Sequence, residues 1–407
     1  MRMSKKKEIV PKLRFPEFSK SYWGITRLNA LADKIAERNK GDDISRVFTN
    51  SATEGVVDQE EYFDRDIANK NNLTNYFVVE KGDYVYNPRI STTAPVGPIS
   101  KNKLGIGLMS PLYTVFRFRN KENDFYEHFF LTNLWHSYIK NLSNTGARHD
   151  RITISVDNFM KMPLPYTSPD EEQKIADCLS SIDELIDAES RKLKALEKYK
   201  KGLMQKLFPA EGKTLPEWRF PEFRHKNEWR IKPLGKICTN YDSRRIPITE
   251  KDRVRGEIPY IGASGVIGYI NDFIFDEDLL CVSEDGANLV ARTYPIAFSI
   301  SGKTWVNNHA HVLKFFHKYT QDIVESYLNM INLQDFLTGM AQPKLNRAKL
   351  DIIPIPLPEE EEQQKIADCL SEIDTMIKEQ SNKVEQLKAH KKGLMQGLFP
   401  SLEEADV

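Results

Sequence analysis

Residues 174–209 read KIADCLSSIDELIDAESRKLKALEKYKKGLMQKLFP. The stretch returns 191 positions later, at 365–400, as KIADCLSEIDTMIKEQSNKVEQLKAHKKGLMQGLFP, with 22 of 36 positions identical and no gap. A second echo, Leu13-Arg14-Phe15-Pro16-Glu17-Phe18 against Trp218-Arg219-Phe220-Pro221-Glu222-Phe223, opens the two copies. The chain is one unit written twice, a variable block of roughly 135 to 150 residues followed by a near-invariant segment. That period is too long for a solenoid and points to tandem domains.

Within the first repeat Ile175, Leu179, Ile182, Ile186, Leu193, Leu196, Leu203 and Leu207 alternate at spacings of four and three, with Glu189 and Lys200 at the remaining seam positions. The second repeat gives Ile366, Leu370, Ile373, Ile377, Val384, Leu387, Leu394 and Leu398, with Gln380 and Lys391 at the matching places. This is a heptad seam and predicts two long helices. Acidic residues open each helix (Asp170, Glu171, Glu172; Glu359 to Glu362) and lysines close it, as a helix macrodipole favours. Prolines 163, 165 and 169, then 354, 356 and 358, precede the helices, and Pro209 and Pro400 follow them. At about 1.5 Å per residue each seam makes a rod of roughly 50 Å. Eight buried apolar side chains at about 1.5–3 kcal/mol each give the two copies reason to pair. A two-fold relation between copies predicts antiparallel rods, with the C-terminus near the N-terminus. The polar seam positions either fix register or face solvent where the rod is open.

The chain has 407 residues, too many for one core and enough for two domains with connectors. Net charge is zero, but residues 1–162 hold 25 Lys+Arg against 19 Asp+Glu, and residues 218–353 hold 18 against 16. Basic blocks on a more acidic spacer are compatible with a polyanion bound by both. Cys178 and Cys369 are one repeat position, Cys238 and Cys281 stand alone, and no metal-ligand spacing joins them, so reduced thiols are expected. No signal-peptide pattern or apolar run near 18 residues occurs, and a soluble cytoplasmic protein is expected.

Each block mixes short apolar runs with one helical pattern, a mixed α/β reading made twice. Strands are expected at Tyr76–Val79, Tyr84–Tyr86 and Leu112–Phe118, with an amphipathic helix over Phe125–Leu142. In the second block, strands are expected at Pro259–Gly262, Leu279–Val282 and His311–Phe316, with a helix over Asp322–Leu337. Both blocks close on Thr-Gly followed by basic residues, Thr145-Gly146 and Thr338-Gly339. Catalytic signatures do not hold up. Ser301-Gly302-Lys303-Thr304 imitates the tail of a phosphate-binding loop, but Ala297 stands where that loop needs glycine. Asn87-Pro88-Arg89-Ile90 lacks the second proline and the aromatic of an adenine methyltransferase motif and reads as a turn. His309 and His311 alternate along a strand, the pattern of core or surface histidines more than of metal ligands. No catalytic, cofactor-binding or metal-binding residue is assigned, and the chain reads as a recogniser.

The repeated helices, the closing Lys-Lys-Gly-Leu-Met-Gln-x-Leu-Phe-Pro, the Tyr260 to Gly265 segment and Trp305-Val306-Asn307-Asn308-His309 together resemble the specificity subunit (S subunit) of type I restriction-modification systems, from about Leu13 to Pro400. The resemblance implies two target recognition domains, residues 13–165 and 211–356, joined by two conserved spacer helices, 166–210 and 357–400. These helices would form an antiparallel coiled coil with an internal pseudo-two-fold. It implies double-stranded DNA as ligand, read as an asymmetric two-part site. Two methyltransferase (M) subunits and the restriction (R) subunits would be partners, and S-adenosylmethionine, ATP and magnesium would belong to those partners. It implies no membrane role and no catalysis by this chain. DNA contacts need Arg, Asn or Gln for base edges and Lys, Ser or Thr for phosphates. On that basis the candidates are Arg38, Lys40, Arg89, Thr92, Arg148 and Arg151 in the first block. In the second they are Arg244, Arg245, Ser264, Lys303, Asn307, Lys344, Asn346 and Arg347. Two alternatives remain, an enzyme with its own methyltransferase or nuclease centre and a coiled-coil scaffold without a nucleic-acid role.

Overall fold

The computed structural model describes residues 9–40, 44–63, 70–145, 150–339 and 342–402. The chain divides into two compact units, residues 1–188 with 383–407, and residues 189–382. The division cuts through both rods. Each is one uninterrupted 39-residue helix, Pro169–Leu207 and Glu360–Leu398.

The first unit carries a two-stranded pair of β1 (Gly24–Arg27) and β12 (Pro163–Tyr166), and a short hairpin of β10 (Asn144–Thr145) and β11 (Ile152–Thr153). It also holds two four-stranded sheets. One has the order β4 (Gly55–Asp58), β3 (Val47–Ser51), β8 (Gly107–Met109), β5 (Phe77–Val79). The other runs β2 (Ala32–Lys34), β9 (Thr114–Phe118), β6 (Tyr84–Tyr86), β7 (Ile99–Lys101). The second unit repeats this plan. A pair of β13 (Arg230–Pro233) and β22 (Pro354–Leu357) accompanies one sheet ordered β16 (Gly265–Ile270), β15 (Arg255–Gly262), β20 (Lys303–Val306), β17 (Phe275–Asp276). The other is ordered β14 (Thr239–Asn240), β21 (Ala310–Lys314), β18 (Leu279–Ser283), β19 (Ala297–Ile300). Strand order agrees throughout, and in each unit one parallel contact (β3 with β8, β15 with β20) joins otherwise antiparallel neighbours. Two blocks with dissimilar sequences therefore share one mixed α/β topology.

Several sequence expectations need correction. Phe125–Leu142 is two helices, Asp124–Phe130 and His136–Leu142. Thr132 breaks the first by donating its hydroxyl to the Phe129 carbonyl at 2.7 Å, and Trp135, buried in the core, donates its indole N–H to Phe130 O at 3.1 Å. The helix expected at Asp322–Leu337 runs Lys318–Met330 and gives way to a turn in which Asn332 Oδ1 accepts from Gln334 N. The proline-rich entries to the rods are strands. Pro163 and Pro165 lie in β12, Pro354 and Pro356 in β22, both in two-stranded pairs where a missing N–H can face away from the partner. In keeping with the rejected phosphate-loop reading, Ser301-Gly302 is the corner between β19 and β20, and Lys303 begins a strand where such a loop would begin a helix.

The rod helices pack antiparallel inside each unit. In the first, Asp183 faces Lys391 at 2.5 Å. In the second, Lys200 faces Asp374 at 2.5 Å and Gln380 donates to Glu189 Oε2 at 2.7 Å. Asp183 and Asp374 are one repeat position, as are Lys200 and Lys391, so the same ion pair occurs once per unit. The polar seam residues are thus paired and set the register. The seam positions of both helices are buried or half-buried. Ile175 and Leu179 pack with Met395, Leu398 and Phe399 in the first core, and Ile366 and Leu370 pack with Leu207 and Phe208 in the second. Leu13 N donates to Gly397 O at 2.8 Å, which brings the N-terminal segment to the end of the second rod helix. Trp218 N donates to Lys206 O at 2.9 Å in the equivalent place.

The acidic helix starts are more than dipole partners. Glu171 and Glu362 are fully buried, and each accepts two bonds from the arginine of its own copy, Arg14 at 2.8 and 3.0 Å and Arg219 at 2.7 and 2.6 Å. One residue later the copies differ. Gln363 accepts from Thr320 and donates to Pro358 O. Its counterpart Glu172 is pushed up to about 7, chiefly by burial and also by the Glu171 charge. The folded state holds a proton that the unfolded chain, with the ordinary value of 4.5, releases. Stability is therefore lost as pH rises from about 4.5 to about 7 and stays low above that. Glu172→Gln removes the loss. The expected gain is on the order of 2 kcal/mol at about pH 8, allowing for partial exposure, and none at about pH 4. Urea unfolding at the two pH values checks this, and equal gains at both would contradict it.

Candidate nucleic-acid interface

In both units the loop that leaves the second sheet is stitched to the segment after the Thr-Gly pair. In the first unit this is the β6–β7 loop. Asn87 starts it, donating from Nδ2 to Asn50 O at 2.9 Å and accepting from Arg89 N on Oδ1 at 3.0 Å. Gly97 ends it at φ +80°, where a Cβ would stand 2.0 Å from Asn87 O, so this close return needs glycine. Ile90 N donates to Asp150 O and Ile152 N to Pro88 O, and an isolated antiparallel bridge sets Arg89 opposite Arg151. Two guanidinium groups across one bridge repel. The carboxylate between them, Asp150, lies 3.8 Å from each and is half exposed, leaving the cluster net positive. Thr92 is exposed at the tip of the same loop.

The second unit builds the same stitch with different side chains. An isolated bridge sets Asp285 opposite Lys344, Gly286 N donates to Pro343 O, and Leu345 N donates to Glu284 O at 2.8 Å. Glu284 is held by Arg245 at 2.7 Å and Lys344 at 3.2 Å. Burial pushes the Glu284 carboxyl up, but the bonds from Arg245 and Lys344 and the His311 charge hold it below the usual range. Ser264 is exposed at the β15–β16 turn, beside Ala263, whose carbonyl accepts from Ser283.

The sequence candidates therefore fall into three groups. Arg89, Thr92 and Arg151 converge in one unit, and Arg245 and Lys344 converge in the other. Others lie elsewhere or have local partners. Arg38 stacks on Phe77 and donates to Asn75 O, and Lys40 follows on the same segment. Arg244 stacks on Tyr241 and Phe275 and pairs with Glu277 at 3.0 Å. Lys303 lies over Phe273 at the start of β20, the end opposite Asn307. Asn307 is buried with Oδ1 accepting from His309 N, Asn346 caps the Arg347–Asp351 helix, and Arg347 pairs with Asp351 at 3.6 Å. Arg148 lies outside the described residues. Sequence reading missed Asp242, Glu284 and the structural role of His311. The one sequence signal among them is that Asp242 stands two positions before Arg244; Glu284 has no basic candidate near it in the chain. Among the described residues no cluster of three metal-ligating side chains occurs, and no helix is long and apolar enough to cross a membrane.

Residues 226–388 match the family described as type I restriction modification DNA specificity domain. These residues belong to that family. A Haemophilus influenzae chain named as a type I restriction enzyme specificity subunit is 33% identical over 152 residues. That alignment covers 37% of this chain and 38% of the relative, so it spans little more than a third of either. The MjaVIII specificity subunit of Methanocaldococcus jannaschii is 27% identical over 320 residues, covering 71% of this chain and 72% of its own. The crystal structure of the type I restriction-modification S subunit from M. genitalium shares the fold, with a TM-score of 0.63, 14% identity, 97% of this chain covered and 100% of its own. The specificity domain match begins after the Trp218 to Phe223 echo, and the internal repeat extends the same architecture to the first half of the chain.

Proposed function

We propose that this chain is the DNA sequence-specificity subunit of a type I restriction-modification complex. Each block reads one half of an asymmetric two-part duplex site, and the paired helices set the gap between the halves. The chain itself is non-catalytic. It directs two methyltransferase subunits and the restriction subunits, which bring S-adenosylmethionine, ATP and magnesium. The observation that carries this reading is one topology built twice from unlike sequences, each copy presenting a stitched loop pair with cationic side chains. Scaffolds that differ only in their presented residues suit two different half-sites.

Sequencing methylated sites in the native host, with and without the gene, tests the proposal. A two-part motif should vanish on deletion, and an unchanged methylation pattern would rule the role out. Exchanging residues 15–162 for another first block should change one half of the motif and leave the other. Lengthening both rod helices by one heptad, about 10 Å, should widen the unread gap by about three base pairs. Label transfer from S-adenosylmethionine to DNA by the chain alone would favour the enzyme alternative, and a complex without a two-part footprint would favour the scaffold.

A further inference from the structure

The stitched loops of the second unit are joined to a charged cluster centred on a buried histidine. His311, 1% exposed on β21, has Nδ1 2.6 Å from Asp242 Oδ2 and Nε2 2.7 Å from the Leu345 carbonyl oxygen. Both partners are acceptors, so each ring nitrogen carries a hydrogen and donates it. Asp242 also accepts from Val312 N at 2.9 Å, and Arg245 approaches it at 3.6 Å. Glu284 lies 3.8 Å from the ring and is held by Arg245 and Lys344, and the neighbouring His309 pairs with Asp285. Packing alone does not call for this. Well-packed apolar residues in place of a buried ionic group are often as stable or more so, so a retained cluster points to a geometry being held.

The two bonds of the ring reach two different cation-bearing segments. Through Asp242 it holds the turn that carries Arg244 and Arg245. Through the Leu345 carbonyl it holds the bridge segment that carries Lys344 and leads to Arg347. We propose that His311 is a positioning residue for DNA recognition by the second block, fixing the spacing of these two segments. The inference rests on the DNA-reading role proposed above. The first block has no histidine on the matching strand β9, Thr114–Phe118. The effect therefore belongs to one half-site.

The test uses the full-length chain in complex with its methyltransferase subunits and a random-sequence duplex library, with bound duplexes sequenced. A glutamine amide nitrogen reaches the place of histidine Nε2, and an asparagine amide nitrogen that of Nδ1. His311→Gln keeps the bond to Leu345 O, and the Asp242 turn stays anchored to β21 through the bond from Val312 N, so discrimination should be retained at both half-sites, whereas Asn leaves the Leu345 carbonyl without its side-chain donor. His311→Asn and His311→Leu should lose roughly tenfold or more in discrimination at one half-site and none at the other. Equal behaviour of the Gln and Asn variants, unchanged discrimination in all three, or loss at both half-sites in all three overturns the positioning role. If the unmodified chain selects no sequence, the DNA-reading role itself falls, and this inference with it.

Discussion

Arg219→Met is expected to lower the stability of the second unit by about 3–5 kcal/mol, the cost of leaving a buried carboxylate without its charge partner. Glu362 is fully buried, and Arg219 supplies both of its charged bonds while also donating to the Lys226 and Asn227 carbonyls at 3.0 Å. Among the described residues the indole N–H of Trp229 has no hydrogen-bond partner, whereas that of Trp23 donates to Glu171. Adding Glu362→Leu to Arg219→Met should restore most of the loss, because the penalty comes from the orphaned charge more than from the missing contact. The matching change in the first unit, Arg14→Met, should cost less. Glu171 keeps bonds from Trp23 Nε1 at 3.2 Å and Thr167 Oγ1 at 2.7 Å. Urea denaturation of the three variants measures this. A loss under about 1 kcal/mol for Arg219→Met, the scale of an exposed pair, would refute the account.

Replacing Arg89 and Arg151 together by alanine is expected to act with opposite signs on the free protein and on its complex. The free protein should gain about 0.2–1 kcal/mol, because like charges across an antiparallel bridge repel and the carboxylate near both is 3.8 Å away. DNA binding should weaken by about 1–3 kcal/mol for each arginine that meets a base edge, and the salt dependence should fall by about one unit of slope for each that meets a phosphate. Thermal unfolding and binding titrations at several salt concentrations separate the two effects. Unchanged affinity at every salt concentration would remove this loop pair from the interface. Asp150→Asn should shift affinity the other way by taking away the nearby negative charge.

The long helices were legible because a heptad seam is a local pattern, and Ile175 to Leu207 and Ile366 to Leu398 repeat it twice. The antiparallel sense followed from the duplication, and the Asp183–Lys391 and Lys200–Asp374 pairs agree with it. The strands with clean apolar runs, Phe77–Val79, Tyr84–Tyr86 and Leu279–Ser283, were also readable. The proline-bearing strands β12 and β22 were not, because their pairing partners lie well over a hundred residues away and no local signal outweighs two prolines. Separation along the chain also hid the bonding of Glu171 to Arg14, 157 residues apart, and of His311 to Asp242, 69 apart. Acidic residues at a helix start and a histidine in a strand have ordinary local explanations.

By itself the amino-acid order determined a duplicated chain, its two rods and the seam that pairs them, since periodicity and repetition are written along the backbone. Only the tertiary structure decided that the two unlike blocks share one strand order, and which basic side chains meet. The physical reason is that sheet pairing and buried ion pairs join residues by their neighbours in space, and many different side chains satisfy the same strand order.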